Sequence, residues 1–221
     1  MENLITFFSK DNIVLNILNY PMSWVELLGT IFNLVAVWLS AKEKISSWWL
    51  GIIGVMLFFI LFYQVNLYAD MTLQIFFFIT NCIGWYQWSN PPTGKENINN
   101  ELIISALHNR TRIFMSIAII VTTVFLGYFF LHIHEYFPRY FPRAAAFPYL
   151  DSFIMAGSIA AQLLLMSKKS ESWVLWIIVD TLAVFVYAQK EIYLTSILYF
   201  IFLIIAYKGF SEWKKATTQY A

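Results

Sequence analysis

Seven apolar stretches, each about 20 residues long and nearly free of charge, partition the chain: about 22–41, 46–65, 69–88, 112–131, 149–167, 172–189 and 191–210. A helix needs about 20 mostly apolar residues to cross the ~30 Å hydrocarbon core of a bilayer. The pattern therefore predicts an all-α integral membrane protein with seven transmembrane helices. The gaps between spans 2 and 3 and between spans 6 and 7 are only a few residues, so those pairs are expected as tight antiparallel hairpins.

Composition agrees. Only 12% of the 221 residues are charged and 60% are hydrophobic, against about 25% charged in soluble domains. A net charge of +1 gives no electrostatic reason to expect nucleic acid as a partner. The single cysteine, Cys82, excludes a disulfide framework or a cysteine metal cluster. His108, His132 and His134 fall in or beside loops with no third ligand in view, so neither metal nor cofactor is expected. The first 20 residues lack the basic start of a signal peptide, and Lys10 and Asp11 interrupt their apolar run. They read as an amphipathic interfacial helix ending at Pro21.

Orientation follows the excess of Lys and Arg in inner loops. With the N-terminus outside, ten basic residues (Lys42, Lys44, Lys95, Arg110, Arg112, Lys168, Lys169, Lys208, Lys214, Lys215) fall inside, and four (Lys10, Arg139, Arg143, Lys190) fall outside. The expectation is an outer N-terminus and a cytoplasmic C-terminus.

The chain also repeats itself. Residues 47–88 align without a gap to residues 172–213, a shift of 125. Ser47/Ser172, Trp48/Trp173, Gln64/Gln189, Tyr68/Tyr193, Gly84/Gly209 and Trp88/Trp213 are identical. Matched Trp, Gln and Gly pairs are harder to obtain by chance than matched aliphatics. The expected division is an interfacial segment (1–21), a first three-helix repeat (22–88), a linker with transmembrane helix 4 (89–148), a second repeat (149–213) and a tail (214–221). Because one linker helix separates them, the two triplets are parallel repeats about an axis along the membrane normal, a symmetry found in some transporters.

Polar residues at membrane depth point to function, since a central Asp costs about 2.5–3.5 kcal/mol on insertion. In "WVLWIIVD", Trp173, Trp176 and Asp180 share a helix face roughly 60° wide with Tyr187. Trp rings stack on flat or cationic ligands, and a carboxylate can pair a cation or accept from hydroxyls. The bland alternative is an interfacial Trp belt with an Asp bonded to a neighbouring helix. Gln74 and Asn81 on span 3, Asn33 on span 1, Gln162 on span 5, Tyr199 on span 7 and Trp48, the counterpart of Trp173, complete the candidate set. Some of these could instead serve as interhelical glue. Glu26 and Asp151 lie near outer helix ends, and Asp70 reads as a cap at the start of span 3. In the first repeat, Gly51 and Val55 stand where the second has Trp176 and Asp180, so any site should draw most of its chemistry from the second repeat.

"LYADMTLQ" (67–74), "GWYQW" (84–88), "WVLWIIVD" (173–180) and "IYLTSILYFIFLIIAYKGFSEW" (192–213), set in the three-plus-one-plus-three plan, resemble the PnuC family of vitamin transporters over residues 20 to 215. The resemblance implies import of nicotinamide riboside into bacteria across the inner membrane by facilitated diffusion. A cytosolic nucleoside kinase would trap the product. It also implies a SWEET-like full-length duplication of a three-helix unit, with the Trp173–Trp176 pair at the substrate. Thiamine, riboflavin and other nucleosides, deoxyribonucleosides among them, are substrates of related branches and stay open as alternatives. A homo-oligomer is expected, a trimer among its forms. Mechanistically the expectation is alternating access around a midplane site formed by spans 1–3 and 5–7. An enzyme is not expected, because the buried polar set lacks a histidine and its acids are scattered. A channel would need a continuous polar stripe, whereas these polar residues cluster near the middle.

Overall fold

The computed structural model describes residues 7–17, 20–64, 68–97, 99–139, 145–189 and 193–219. Arg143 and Lys190, counted above as outer charges, lie outside the described residues, and so does the Asp70 side chain expected as a helix cap. Among the described residues there are seven helices: α1 (Trp24–Ala41), α2 (Ser46–Gln64), α3 (Tyr68–Ser89), α4 (Asn109–Tyr136), α5 (Pro148–Met166), α6 (Glu171–Gln189) and α7 (Tyr193–Gln219). Six are long and apolar enough to cross a membrane. The exception is α3, which has the length, 22 residues, but is diluted by Asp70, Gln74, Asn81 and Gln87.

The chain divides into two compact units, Met1–Ile103 and Ile104–Ala221. In the first, α2 packs against both α1 and α3. Val25, Leu57 and Leu61 form its core, with Phe8 and Phe58 against them. In the second, each helix from α4 to α7 packs on the next. The α4–α5 contact is built on Ile119, Ala156 and Ala160. The large side chains of α4 face outward: Phe114 is 68% exposed and Phe125 70%, as suits a helix bathed in lipid.

The N-terminal stretch corrects one expectation. Instead of an amphipathic helix up to Pro21, Ile13–Ile17 (β1) and Tyr20–Ser23 (β2) pair as an antiparallel hairpin, with Asn16 opposite Pro21. The cause is local. Pro21 cannot sit inside a helix and pushes Tyr20 into extended geometry, while β-branched Ile13, Val14 and Ile17 favour a strand. Ser23 then caps α1, its hydroxyl accepting from the Glu26 backbone N–H at 3.4 Å, in a Ser-x-x-Glu start. The carboxylate of Glu26 turns back to accept from the Tyr20 hydroxyl at 2.9 Å. Gln64, at the end of α2, holds the preceding segment: its Oε1 accepts from the Lys10 backbone N–H at 2.6 Å and its Nε2 donates to the Phe8 carbonyl at 2.9 Å.

The turns after α1 and after α5 are alike, 125 residues apart. Glu43 N–H donates to Ser40 O and Lys168 N–H to Leu165 O, both at 3.0 Å. Lys44 N–H donates to Leu39 O and Lys169 N–H to Leu164 O, both at 2.9 Å. Glu43 and Lys168 take the same left-handed conformation, φ 57° and 46°.

Candidate functional site

In both units a Trp–Trp–Gly arrangement closes the helix contacts. The Trp48 ring meets Trp88 edge-on at 5.2 Å between centroids, and the Trp173 ring meets Trp213 edge-on at 5.5 Å. Each first Trp also lies over a glycine of the third helix, Gly84 under Trp48 and Gly209 under Trp173. Both rings are 1% exposed. Their Nε1 atoms, and the hydroxyls of Ser47 and Ser172 before them, are buried without a hydrogen-bond partner among the described residues. Orphaned donors cost about 1–3 kcal/mol each. Their recurrence in both units ties them to the shared packing rather than to something only one unit does.

The rest of the candidate set in the second unit lies one turn and more away from this knot. Trp176 is half-buried, its ring not enclosed as that of Trp173 is. Asp180 is 3% exposed and, among the described residues, makes no hydrogen bond or ion pair. Gln162 on α5 is 7% exposed and equally without a hydrogen bond. The α5–α6 register is set where Gly157 faces Val179, with room for no Cβ (2.7 Å to Cγ2). Counting from there at ~1.5 Å per residue puts Asp180 near the level of Gly157 and Gln162 near that of Val174, between Trp173 and Trp176. The α6–α7 register is set by the Ser196 hydroxyl, which donates to Val184 O at 2.9 Å. Counting back from it brings Tyr199 close to the level of Asp180. Tyr187 and Tyr199 stack at 5.2 Å with an 11° interplanar angle. They meet because helical side chains lean toward their own N-termini: on antiparallel helices the two rings swing toward each other. A buried carboxylate, a buried amide and three partly exposed aromatic rings thus occupy one region of α5–α7.

The first unit answers with amides. Asn33 lies over Gly54, where a Cβ would be 2.6 Å from its Nδ2, and donates to Gly29 O at 2.9 Å. Asn81 lies over Gly51, where a Cβ would be 2.6 Å from its Oδ1, and donates to Phe77 O at 2.8 Å. Since Gly51 and Gly54 are one turn apart, the two carboxamides rest on one glycine-lined face of α2 from opposite neighbours. Gln74, 9% exposed, makes no hydrogen bond among the described residues. Trp48 is not brought to this set; it belongs to the Trp–Trp–Gly knot.

Nothing in the local sequence pairs Gly51 and Gly54 with particular asparagines. Nor does the candidate set include Ser196, which is buried and bonds across to α6. A serine in an apolar helix was the available signal, but its partner lies on another helix. Among the described residues no three His, Cys, Asp or Glu side chains gather as a metal-ligand group. What such a lining can do is bind: π faces and a lone acid for a flat cationic group, amides for a carboxamide or hydroxyls.

Residues 23–215 match the family model described as "Nicotinamide mononucleotide transporter". The chain is 35% identical over 228 residues to the nicotinamide riboside transporter PnuC of Escherichia coli (strain K12), covering 94% of this chain and 93% of that protein. It is 26% identical to the protein of the same name from Neisseria mucosa, over 91% of this chain and 76% of that one. The fold matches a crystal structure titled as the vitamin B3 transporter PnuC with TM-score 0.68 and 22% identity, over 100% of this chain and 88% of the other.

Proposed function

The chain belongs to the nicotinamide mononucleotide transporter family, and from that membership we propose that it imports nicotinamide riboside across a bacterial cytoplasmic membrane. The observation that carries this reading is Asp180: buried, without a hydrogen-bond or ion-pair partner among the described residues, in a membrane-crossing helix, and replaced by Val55 at the equivalent place in the first unit. An acid that the repeated fold does not require is there for a ligand. Nicotinamide riboside carries a pyridinium cation, a carboxamide and a ribose. In the second unit Asp180 would offset the cation, Trp176 and the Tyr187–Tyr199 stack would take its flat faces, and Gln162 would bind a polar edge. Asn33, Gln74 and Asn81 belong to the same transport function in the first unit. Trp173 and Trp48, enclosed by glycine and tryptophan, act as the packing that holds their helices.

Transport is by alternating access and facilitated diffusion, in keeping with the lack of a paired carboxylate network for ion coupling among the described residues. Phosphorylation by a cytosolic nucleoside kinase traps the product. The N-terminus lies outside and the C-terminus inside, in keeping with ten inner basic residues against four. The three-plus-one-plus-three plan as a SWEET-like parallel duplication is supported by the turns and Trp–Trp–Gly knots repeated at a 125-residue interval. The functional form is a homo-oligomer.

Calorimetric titration of the purified protein with nicotinamide riboside, thiamine, riboflavin and thymidine tests the substrate. Nicotinamide riboside should bind tightest, and Asp180→Asn should weaken it by tenfold or more, about 1.4 kcal/mol. Unchanged affinity in Asp180→Asn would reject the role of the acid; tighter binding of another compound would reassign the substrate. Uptake into kinase-free vesicles should stop at equal concentrations on both sides.

A further inference from the structure

A hydroxyl inside an apolar helix ordinarily bonds to a carbonyl of its own preceding turn. Ser152 does so to Pro148 O at 2.7 Å and Thr217 to Trp213 O at 2.8 Å. Ser196, buried near the start of α7, instead donates across the hairpin to Val184 O on α6 at 2.9 Å. Val184 does not need that donor, because a carbonyl inside an α-helix already accepts from the N–H four residues on. The bond therefore serves to tie two helices together. Within the transport reading given above, we infer that Ser196 is a positioning residue for the substrate: it holds the α6–α7 register at which the Tyr187–Tyr199 stack closes.

The bond and the ring stack share one level. Tyr187 follows Val184 on α6 and Tyr199 follows Ser196 on α7 by the same short step, ~4.5 Å of axial rise. On antiparallel helices those steps run in opposite directions, so the two tyrosine backbones stand on either side of the Ser196–Val184 level. Helical side chains lean back toward their own N-termini, which returns both rings to that level. There they stack at 5.2 Å with an 11° interplanar angle. A slip of α7 by one residue would shift the level by ~1.5 Å and turn the Tyr199 ring by ~100° about its helix axis, enough to open a near-parallel stack. Val184 is one turn along α6 from Asp180, so the tie also sets how the aromatic faces stand beside the acid.

The first unit shows that the hairpin does not require this tie. At the 125-residue interval, Ser196 corresponds to Met71, Val184 to Phe59, Tyr187 to Phe62 and Tyr199 to Gln74. The α2–α3 contact is thus built without a hydroxyl donor at the place of Ser196 and without a tyrosine pair. Serine, paired tyrosines and Asp180 occur together in the unit that carries the acid, and all are replaced in the unit that does not.

A double-mutant cycle read by calorimetry on the full-length protein tests the inference, using whichever of nicotinamide riboside, thiamine, riboflavin and thymidine binds the parent tightest. Ser196→Ala should raise Kd at least fivefold in the parent and less than twofold in a Tyr199→Leu background, because the serine acts through the ring. A merely structural role would raise Kd alike in both backgrounds, and that result would overturn the inference. Ser196→Thr keeps the donor and should restore Kd to within twofold of the parent. Thr217→Val removes a hydroxyl that bonds within α7 and should leave Kd within twofold; a loss equal to that of Ser196→Ala would overturn the specific role of Ser196. Should Ser196→Ala fail to fold, Ser196→Cys, a weaker donor, carries the same comparison. Unchanged Kd in the serine variant of a parent that binds would overturn the role of Ser196 alone. Binding of none of the four compounds by the parent would overturn the transport reading and this inference with it.

Discussion

Trp173 lies across Gly209 so closely that a Cβ there would stand 2.8 Å from the indole ring. The ring cannot retreat, because Trp213 meets it edge-on at 5.5 Å. Gly209→Ala should therefore destabilise the protein by roughly 1–3 kcal/mol of overpacking strain, more than the ~1 kcal/mol gained in helix propensity. Thermal unfolding in detergent measures it, and an unchanged or raised midpoint would contradict the packing. Gly84→Ala, under Trp48, should behave alike.

The two tryptophans of the WxxW pair separate experimentally. Trp173→Phe removes packing and should lower the unfolding midpoint while leaving substrate Kd within about threefold. Trp176→Ala, at a half-buried ring, should leave the midpoint nearly unchanged and weaken binding tenfold or more, on the order of a lost aromatic contact with a cation. The reverse pattern would exchange their roles.

Gly51 positions Asn81. A methyl at Gly51 would press on Oδ1 at 2.6 Å and Cγ at 3.2 Å, forcing the amide off the Phe77 carbonyl. Gly51→Ala should raise substrate Kd several-fold in a folded protein, and Asn81→Ala in the same background should add little, since the two act as one unit. Additive effects in calorimetry would separate them.

The hairpin contributes a pH dependence. Burial first, and then the Glu26 carboxylate beside it, pushes the Tyr20 hydroxyl up to about 12 from its usual value of 10.0. A raised pKa means that the folded state favours the neutral phenol. Its stabilising contribution is present below about pH 10 and is lost as pH rises through about 12. The difference in tyrosinate absorbance between the parent and Tyr20→Phe should titrate in that upper window. A midpoint at the ordinary value would contradict both the burial of Tyr20 and its contact with Glu26.

Gln64 clasps the chain ahead of the hairpin with two hydrogen bonds. Gln64→Leu should loosen residues 8–10 and speed tryptic cleavage after Lys10 on the order of tenfold, about one hydrogen bond in free energy. No acceleration would mean that the clasp does not hold that segment.

Much of the architecture was legible because membrane insertion imposes a strong one-dimensional rule. Apolar runs of spanning length placed the helices to within about five residues at each end, except that α7 runs on to Gln219, nine residues past the expected 210. The depth of Asp180 and its replacement by Val55 were likewise plain from spacing alone. The N-terminal stretch was misread because its pattern fits a helix or a hairpin, and the pairing of residues 13–17 with 20–23 decides between them.

What the residues determined by themselves was which positions carry chemistry: helix period and hydrophobicity are local properties, and both are written along the chain. Only the tertiary structure decided which of two tryptophans three residues apart is walled in. Trp173 is enclosed because α7 brings Gly209 and Trp213 against it, and Trp176 keeps part of its ring open. That outcome depends on the register of a helix more than thirty residues away in sequence, which no local pattern encodes.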